Sequence, residues 1–303
     1  MKQTFYSNGK LLITGEYVVL DGALALALPT KFGQDLVVEK GTNKEIVWKS
    51  FDSDGSLWFE ATISFSDIIH NSNFENQSER NTLIGILHEG YRLNPSFIEN
   101  AEGYTIATHL SFPKFWGLGT SSTLINNIAQ WIGIDAFVLL KNSFGGSGYD
   151  IACAQNNTPI LYQLVEGKQV VEQVHFNPNF TEQIYFVYLN KKQNSKNAIA
   201  AYYKKEKNKA ATLSKINTIT TSILHTKDGE TFSSEIENHE IILSEILETK
   251  PIKDILFPDF KGTVKSLGAW GGDFILVVSK DNPTDYFKEK GFATVIPYGE
   301  MIL

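Results

Sequence analysis

The chain carries a single cysteine, Cys153, among its 303 residues. That excludes an internal disulfide framework and fits a reducing compartment. Cys153 itself reads as a small buried apolar residue. The six histidines show no metal-ligand spacing, so no protein-held transition metal is expected. No apolar run approaches membrane-spanning length, and the N-terminus, MKQTFYSNGKLLITGEY, lacks an apolar core of signal-peptide length. The expected location is therefore the cytoplasm, with no membrane partner. Basic residues are in deficit: 27 Lys and Arg stand against 34 Asp and Glu, for a net charge of −7. A nucleic-acid binder needs a basic footprint, so no nucleic-acid partner is expected. A small anionic ligand, which a few local donors can hold, stays compatible. No Walker A loop and no protein-kinase motif set is present.

What is present suits two domains of ordinary size. The first half reads mainly as strands, from KLLITGEYVVLDGALALALP through DLVVEK, EIVWKS and LWFEATISF. Leu83, Ile84, Leu87 and Tyr91 share one helical face within 79–93, and Pro95 ends that pattern. YTIATHLSF alternates as a strand. Beyond it, Leu124, Ile125, Ile128, Ala129 and Ile132 repeat at helical spacing up to Gly133, and Asp135 is placed to cap a further helix. The second half supplies a strand in QIYFVYL and a helix after Ser195. Two longer helices follow, with stripes at Leu213, Ile216, Thr220 and Ile223, then at Phe232, Ile236, His239, Leu243 and Ile246. GTVKSLGAWGGDFILVVS is a glycine-interrupted strand pair, Pro283 opens a short helix, and FATVIPY closes as a strand. Composition shifts around Asn177–Thr181, dividing the chain into domains 1–178 and 179–303.

Glycine clusters carry the chemistry. In FWGLGTSS, the glycines lie between a strand and a helix, and hydroxyls fill the helix's first turn. Backbone N–H groups at a helix N-terminus bind anions, and bare glycine lets them come close. The plainer alternative is an ordinary turn capped by Thr120 or Ser121. Asp150, in GGSGYDIACA, could accept a proton from a substrate hydroxyl, or merely cap a helix beginning at Ile151. Lys10 could neutralise a transferring phosphoryl group, or be a solvated lysine before a strand. Glu16 could touch substrate or metal, or be a charge at a strand bend. LGAWGGDF is a third glycine cluster, suited also to a bulge or tight turn.

Taken in order, four stretches resemble the GHMP kinase superfamily of galactokinase, homoserine kinase, mevalonate kinase and phosphomevalonate kinase. GKLLITGEYVVLDGALALAL is similar to the N-terminal motif and PKFWGLGTSS to the phosphate loop. GGSGYDIACA is similar to the aspartate segment and KSLGAWGGDFILV to the C-terminal glycine motif. Within the superfamily the chain looks closest to phosphomevalonate kinases, then mevalonate kinases. The resemblance implies a two-domain α+β fold: an N-terminal domain with a left-handed βαβ crossover and a C-terminal ferredoxin-like domain, holding ATP and Mg²⁺. It implies that Gly117, Leu118, Gly119, Thr120, Ser121 and Ser122 bind the phosphates, that Ser121 ligates the metal, and that Asp150 and Lys10 are catalytic. Glu16, Ser147, Gly148, Lys192, Ser195, Ala269, Gly271 and Gly272 would meet a small anionic substrate, in a monomer or homodimer. The implied reaction moves the ATP γ-phosphoryl group to a mevalonate-type acceptor. A non-catalytic nucleotide sensor, a kinase for homoserine or a sugar, and a diphosphomevalonate decarboxylase are the alternatives on the same fold. Two departures stand out: Leu139 occupies a position often held by a metal-binding Glu, and Trp270 replaces a usual glycine.

Overall fold

The computed structural model describes residues 2–71, 78–192, 199–200, 202–204 and 209–303. Its contacts group into two compact units that alternate along the chain. One holds the chain up to Gly9 with Phe32–Lys114 and Leu118–Gln155; the other holds Lys10–Lys31, Phe115–Gly117 and Asn156–Leu303. Strands β1 (Gln3–Leu12) and β2 (Ala25–Lys40) pair with each other and contribute residues to both units.

The first unit combines a sheet with helices. Its strands run in the order β4 (Leu57–Ser64), β3 (Glu45–Phe51), β5 (Tyr104–Leu110) and the second half of β2. Strand alternation puts the core on one face. Val38 lies opposite Ile106, Ile106 beside Trp48, and Trp48 opposite Ala61, and all four are buried. Between β4 and β5 come α1 (Phe65–His70), α2 (Glu79–Leu93) and α3 (Ser96–Glu99); after β5 come α4 (Thr120–Ile132), α5 (Ala136–Ser143) and α6 (Tyr149–Gln155). Leu83, Ile84 and Leu87 of α2 and Ile125, Ile128, Ala129 and Ile132 of α4 join that core. Asp135 caps α5 as expected, its Oδ1 accepting from the Phe137 N–H at 2.7 Å.

In the second unit, the first half of β2 pairs with β6 (Ile160–Val165), which forms a hairpin with β7 (Lys168–Gln173). Sequence reading misses that hairpin. Its two-residue turn uses Glu166 and Gly167 at φ 52° and 74°, and glutamate is not a residue that advertises a left-handed turn. The rest follows a ferredoxin-like pattern. β8 (Ile184–Tyr188) leads to α7 (Lys209–His225), α8 (Gly229–Leu247) and α9 (Ile252–Leu256). Next come β9 (Thr263–Ser266), β10 (Phe274–Val278), α10 (Thr284–Glu289), β11 (Val295–Pro297) and α11 (Tyr298–Met301). The sheet order is β11-β8-β10-β9, antiparallel throughout. Ile252, Phe257 and Phe287 pack on Tyr185, Val187, Val264, Ile275 and Val277.

One expectation is corrected here. Separate strands on either side of Pro29 are in fact the continuous β2. Its β6 ladder ends at Ala27 and its β5 ladder begins at Gln34, so neither ladder asks Pro29 for the N–H it lacks.

Trp48 is the bulkiest fully buried side chain, and its Nε1 donates to Ser50 Oγ at 3.0 Å. Trp48→Ala should therefore destabilise the protein by about 3–5 kcal/mol. Denaturant unfolding should show a lower midpoint; an unchanged midpoint would mean that the β3 face is not the core of the first unit.

Candidate functional site

The first unit holds the helix start that the glycine-rich loop leads into. Gly119, at φ 102°, is the N-cap of α4, and no side chain caps the helix. This corrects the reading in which Thr120 or Ser121 is the cap. Ser122 Oγ instead donates to the Gly119 carbonyl at 2.9 Å, and Thr123 Oγ1 lies 3.0 Å from it. The first-turn N–H groups therefore lack intrahelical acceptors. Thr120 Oγ1 is buried without a hydrogen-bond partner, and the Ser121 residue is exposed. Uncapped N–H donors beside an orphaned hydroxyl fit a phosphate.

A buried polar ladder fixes α4. Thr123 Oγ1 donates to Gln34 Oε1 at 2.7 Å, and Asn127 Nδ2 donates to the Gln34 carbonyl at 2.9 Å. Asn126 Nδ2 donates to Ser7 Oγ, which donates to Asn127 Oδ1. Gln155 at the end of α6 donates to Asn126 Oδ1, tying α6 to α4. Asp150 is not the cap of α6: the Gly148 carbonyl accepts from the Ala152 N–H, and Asp150 is the second helical residue. It is partly exposed, and Ser147 just before Gly148 is buried. Leu139 is fully buried in the apolar core.

The second unit holds the other sequence-predicted groups. Lys10 lies within β1 rather than ahead of a strand, is partly buried, and donates from Nζ to the Gly117 carbonyl at 3.2 Å. Tyr188 Oη donates to the Phe115 carbonyl at 3.2 Å, and the Trp116 ring meets Phe274 edge-on at 5.5 Å. The exposed Lys192 holds its ammonium 5.9 Å from the Phe115 ring centre. Ala269, Gly271 and Gly272 form the turn between β9 and β10, closed by Gly272 N–H donating to the Ala269 carbonyl at 3.2 Å. Ser195 lies outside the described residues.

Glu16 is not a charge at an exposed bend. It is buried, its Oε1 accepts from the buried Lys265 Nζ, and its Oε2 lies 3.6 Å from His239 Nε2. His239 Nε2 accepts the Gly15 N–H at 2.8 Å, which makes the neutral ring the stable form. Burial, with the Lys265 charge, holds the His239 pKa well below its usual value. The same burial pushes Glu16 upward against the pull of Lys265. Glu240 is also buried and accepts from the Ile252 and Ser266 N–H groups. Burial drives its carboxyl to about 7, opposed by Lys265 and those two bonds. Nearby, Tyr17 sits at φ 63°, stacks on Tyr202, and accepts the Trp270 N–H at 2.8 Å through its phenol oxygen. Sequence reading placed His239 on the apolar stripe but missed the network. The signal was Lys265, a lysine in a strand stretch, GTVKSL, that carries no other charge.

No protein-family model matches the chain, and no curated protein does. Solved structures do. The chain is similar to the mevalonate kinase of Methanococcus jannaschii, at 15% identity over 97% of this chain and 96% of that one, with a TM-score of 0.71. It is similar to the Streptococcus pneumoniae phosphomevalonate kinase solved with phosphomevalonate and AMPPNP, at 16% identity over 97% and 99%, with a TM-score of 0.68. It is also similar to a Lactococcus lactis galactokinase solved with galactose, at 12% identity over 95% and 88%, with a TM-score of 0.65. The fold is that of these kinases: two-domain α+β, as the sequence motifs led one to expect.

The buried network has a pH signature. A Glu240 carboxyl raised from 4.5 to about 7 binds its proton more tightly in the folded than in the unfolded chain. Its contribution to stability is complete below about 4.5 and is lost as pH rises through about 7. Relative to Glu240→Gln, the wild type should lose of order 2–3 kcal/mol of unfolding free energy across that window. Urea unfolding at several pH values checks this. A wild type that gains on the variant as pH rises would mean that Glu240 is ionised and held by Lys265.

Proposed function

We propose that this chain is an ATP-dependent small-molecule kinase of the GHMP superfamily, transferring the γ-phosphoryl group to a mevalonate-type acceptor, either mevalonate or phosphomevalonate. The observation that carries the reading is the uncapped, hydroxyl-rich start of α4 with the orphaned Thr120 hydroxyl. The likeness of fold to small-molecule kinases supports it. Residues 1–178 are taken as the nucleotide-binding domain and 179–303 as the ferredoxin-like domain, whose sheet begins at Ile184.

In this reading Gly117–Ser122 hold the ATP phosphates through backbone N–H groups and hydroxyls. Asp150 takes the proton of an acceptor hydroxyl as its oxygen bonds to the γ-phosphorus and the bond to the ADP oxygen breaks. If the acceptor is already a phosphate, no proton need be taken, and Asp150 orients it. Lys10 offsets negative charge on the group in transfer. Lys192 and Ser195 meet the anionic end of the substrate, and Glu16, Ser147, Gly148, Ala269, Gly271 and Gly272 shape its surroundings. Ser121 would hold Mg²⁺, which supplies charge neutralisation on the phosphates. Leu139 offers no carboxylate, and Mg²⁺ is commonly held by phosphates and water with few protein ligands. The cytoplasm is the proposed location.

The absence of an acid at Leu139 favours one second reading, a nucleotide-binding protein without catalysis. ADP release measured with mevalonate, phosphomevalonate, homoserine and galactose in turn separates the two. Turnover with one of the first two supports the proposal; nucleotide binding with no turnover on any acceptor supports the sensor. On the accepted substrate, Asp150→Asn should lower kcat by roughly 10²–10⁴-fold if the acceptor is a hydroxyl. Stability should change little, because asparagine keeps the Oδ1 that accepts the Ile151 N–H at 3.1 Å. Near-wild-type turnover of the folded variant would remove Asp150 from the mechanism.

A further inference from the structure

The loop residue Gly117 is bare for a reason separate from anion binding. A Cβ built on it would lie 2.5 and 2.8 Å from the two carboxylate oxygens of Asp273. The Asp273 side chain thus packs directly over the Gly117 α-carbon, while Lys10 holds the Gly117 carbonyl. Asp273 is 9% exposed and sits at φ 55°, a left-handed conformation in which a glycine costs less. Its backbone is fastened there at both ends. The Asp273 N–H donates to the Lys191 carbonyl at 2.7 Å, and its carbonyl accepts the Leu189 N–H at 2.8 Å. The two residues before Gly117 are fastened to the same sheet, Phe115 by Tyr188 and Trp116 by Phe274.

A strained residue between GG and an apolar strand, where glycine would be easier, marks a position held for something other than folding. We infer that Asp273 is a positioning residue for nucleotide binding: its side chain sets Gly117 in the conformation from which the phosphate loop begins. The inference rests on the kinase reading above and adds to it a residue outside the loop. Asp273 works by shape and contact on the loop backbone. It leaves the phosphates to the loop's own donors, since a carboxylate facing them would repel them.

Four variants and two measurements test this: Asp273→Gly, Asp273→Asn, Gly117→Ala and the double of the first and third, each by thermal unfolding without nucleotide and by calorimetric titration with MgATP. Asp273→Gly relieves the positive φ, so its Tm should hold or rise by a few degrees. Its Kd for ATP should nonetheless weaken about tenfold, a loss that a purely structural role would not produce. Gly117→Ala should weaken binding as well, and the losses in the double variant should be less than additive, since the clash is then gone and only the cost of an alanine at φ 71° remains. Asp273→Asn keeps the shape and tolerates the left-handed region, so it should retain near-wild-type affinity.

Wild-type affinity in Asp273→Gly, or additive losses in the double variant, would overturn the inference. Loss in Asp273→Asn, accompanied by a shift in the Mg²⁺ concentration required, would make Asp273 a metal ligand and overturn it equally. Wild-type protein that binds no ATP sinks the kinase reading itself. In that event the Tm values still decide whether Asp273 and Gly117 are coupled, so the two failures are distinguishable.

Discussion

The ion pair between Lys265 and Glu16 is the constraint on which the second unit depends. Both groups are almost wholly removed from water, and each would be costly to bury alone. The pair is held by neighbours that are satisfied only in part, for Glu16 Oε2, His239 Nδ1 and Ser266 Oγ are buried without a hydrogen-bond partner. Lys265 donates a second bond to the Ser266 carbonyl at 2.9 Å. Glu240 receives the Ser266 N–H, and His239 receives that of Gly15. One residue earlier, Thr14 Oγ1 accepts from the Leu26 N–H and from Thr220 Oγ1. The Thr14–Gly15–Glu16 turn is therefore tied to α7, α8 and β9, which is why residues 10–31 fold with the distant second half of the chain. Replacing such a pair wholesale by apolar residues often costs nothing, whereas removing one partner typically costs 3–5 kcal/mol.

The first unit solves the same problem without charge. Ser7, Gln34, Thr123, Asn126 and Asn127 are buried polar side chains linked to one another and to the backbone of β2. Three of them lie on α4, on a face that hydrophobic patterning alone would fill with leucine. The bonds are directional where dispersion is not, so they fix the rotation and height of α4 as well as its attachment. The start of a helix can serve as a pre-organised donor cluster only if its position is set in advance. The cost is a core with less apolar area, and the rows of Val38, Ile106, Trp48 and Ala61 beneath it supply the cohesion.

Long amphipathic helices were legible because their signal repeats many times. In α2, α4, α7 and α8 the predicted stripes are buried except for Tyr91, Leu124, Leu213 and Ile246, one in each helix, which are half-buried, and Gly133 ends α4 in the left-handed conformation expected of it. The glycine clusters were legible because turns of positive φ need an unusual backbone, which restricts residue choice. What escaped the sequence was partnership. His239 reads as one more member of a stripe, and nothing local indicates that its acceptor nitrogen is claimed by a glycine 224 positions away. Asp150 reads as a cap because Asp caps helices, yet Gly148 supplies the backbone acceptor and the helix begins one residue before Asp150. Glu166 hid a hairpin, since its left-handed φ is imposed by the strands on either side. Each miss is a case in which tertiary context overrode a sound local preference.

The two glycines of the loop show how one residue type can answer two physical demands. Gly119 is at φ 102° and its carbonyl accepts from Ser122 Oγ and the Thr123 N–H, so it closes the first turn of α4 without a side chain of its own. A side chain able to cap would have occupied the very donors that an anion requires. Gly117, two residues earlier, faces no such competition, because its bareness makes room for Asp273. The first glycine is thus fixed by what packs on it, and the second by what must be left open beside it. A sequence pattern that reads simply as flexible is, at both positions, a record of close approach.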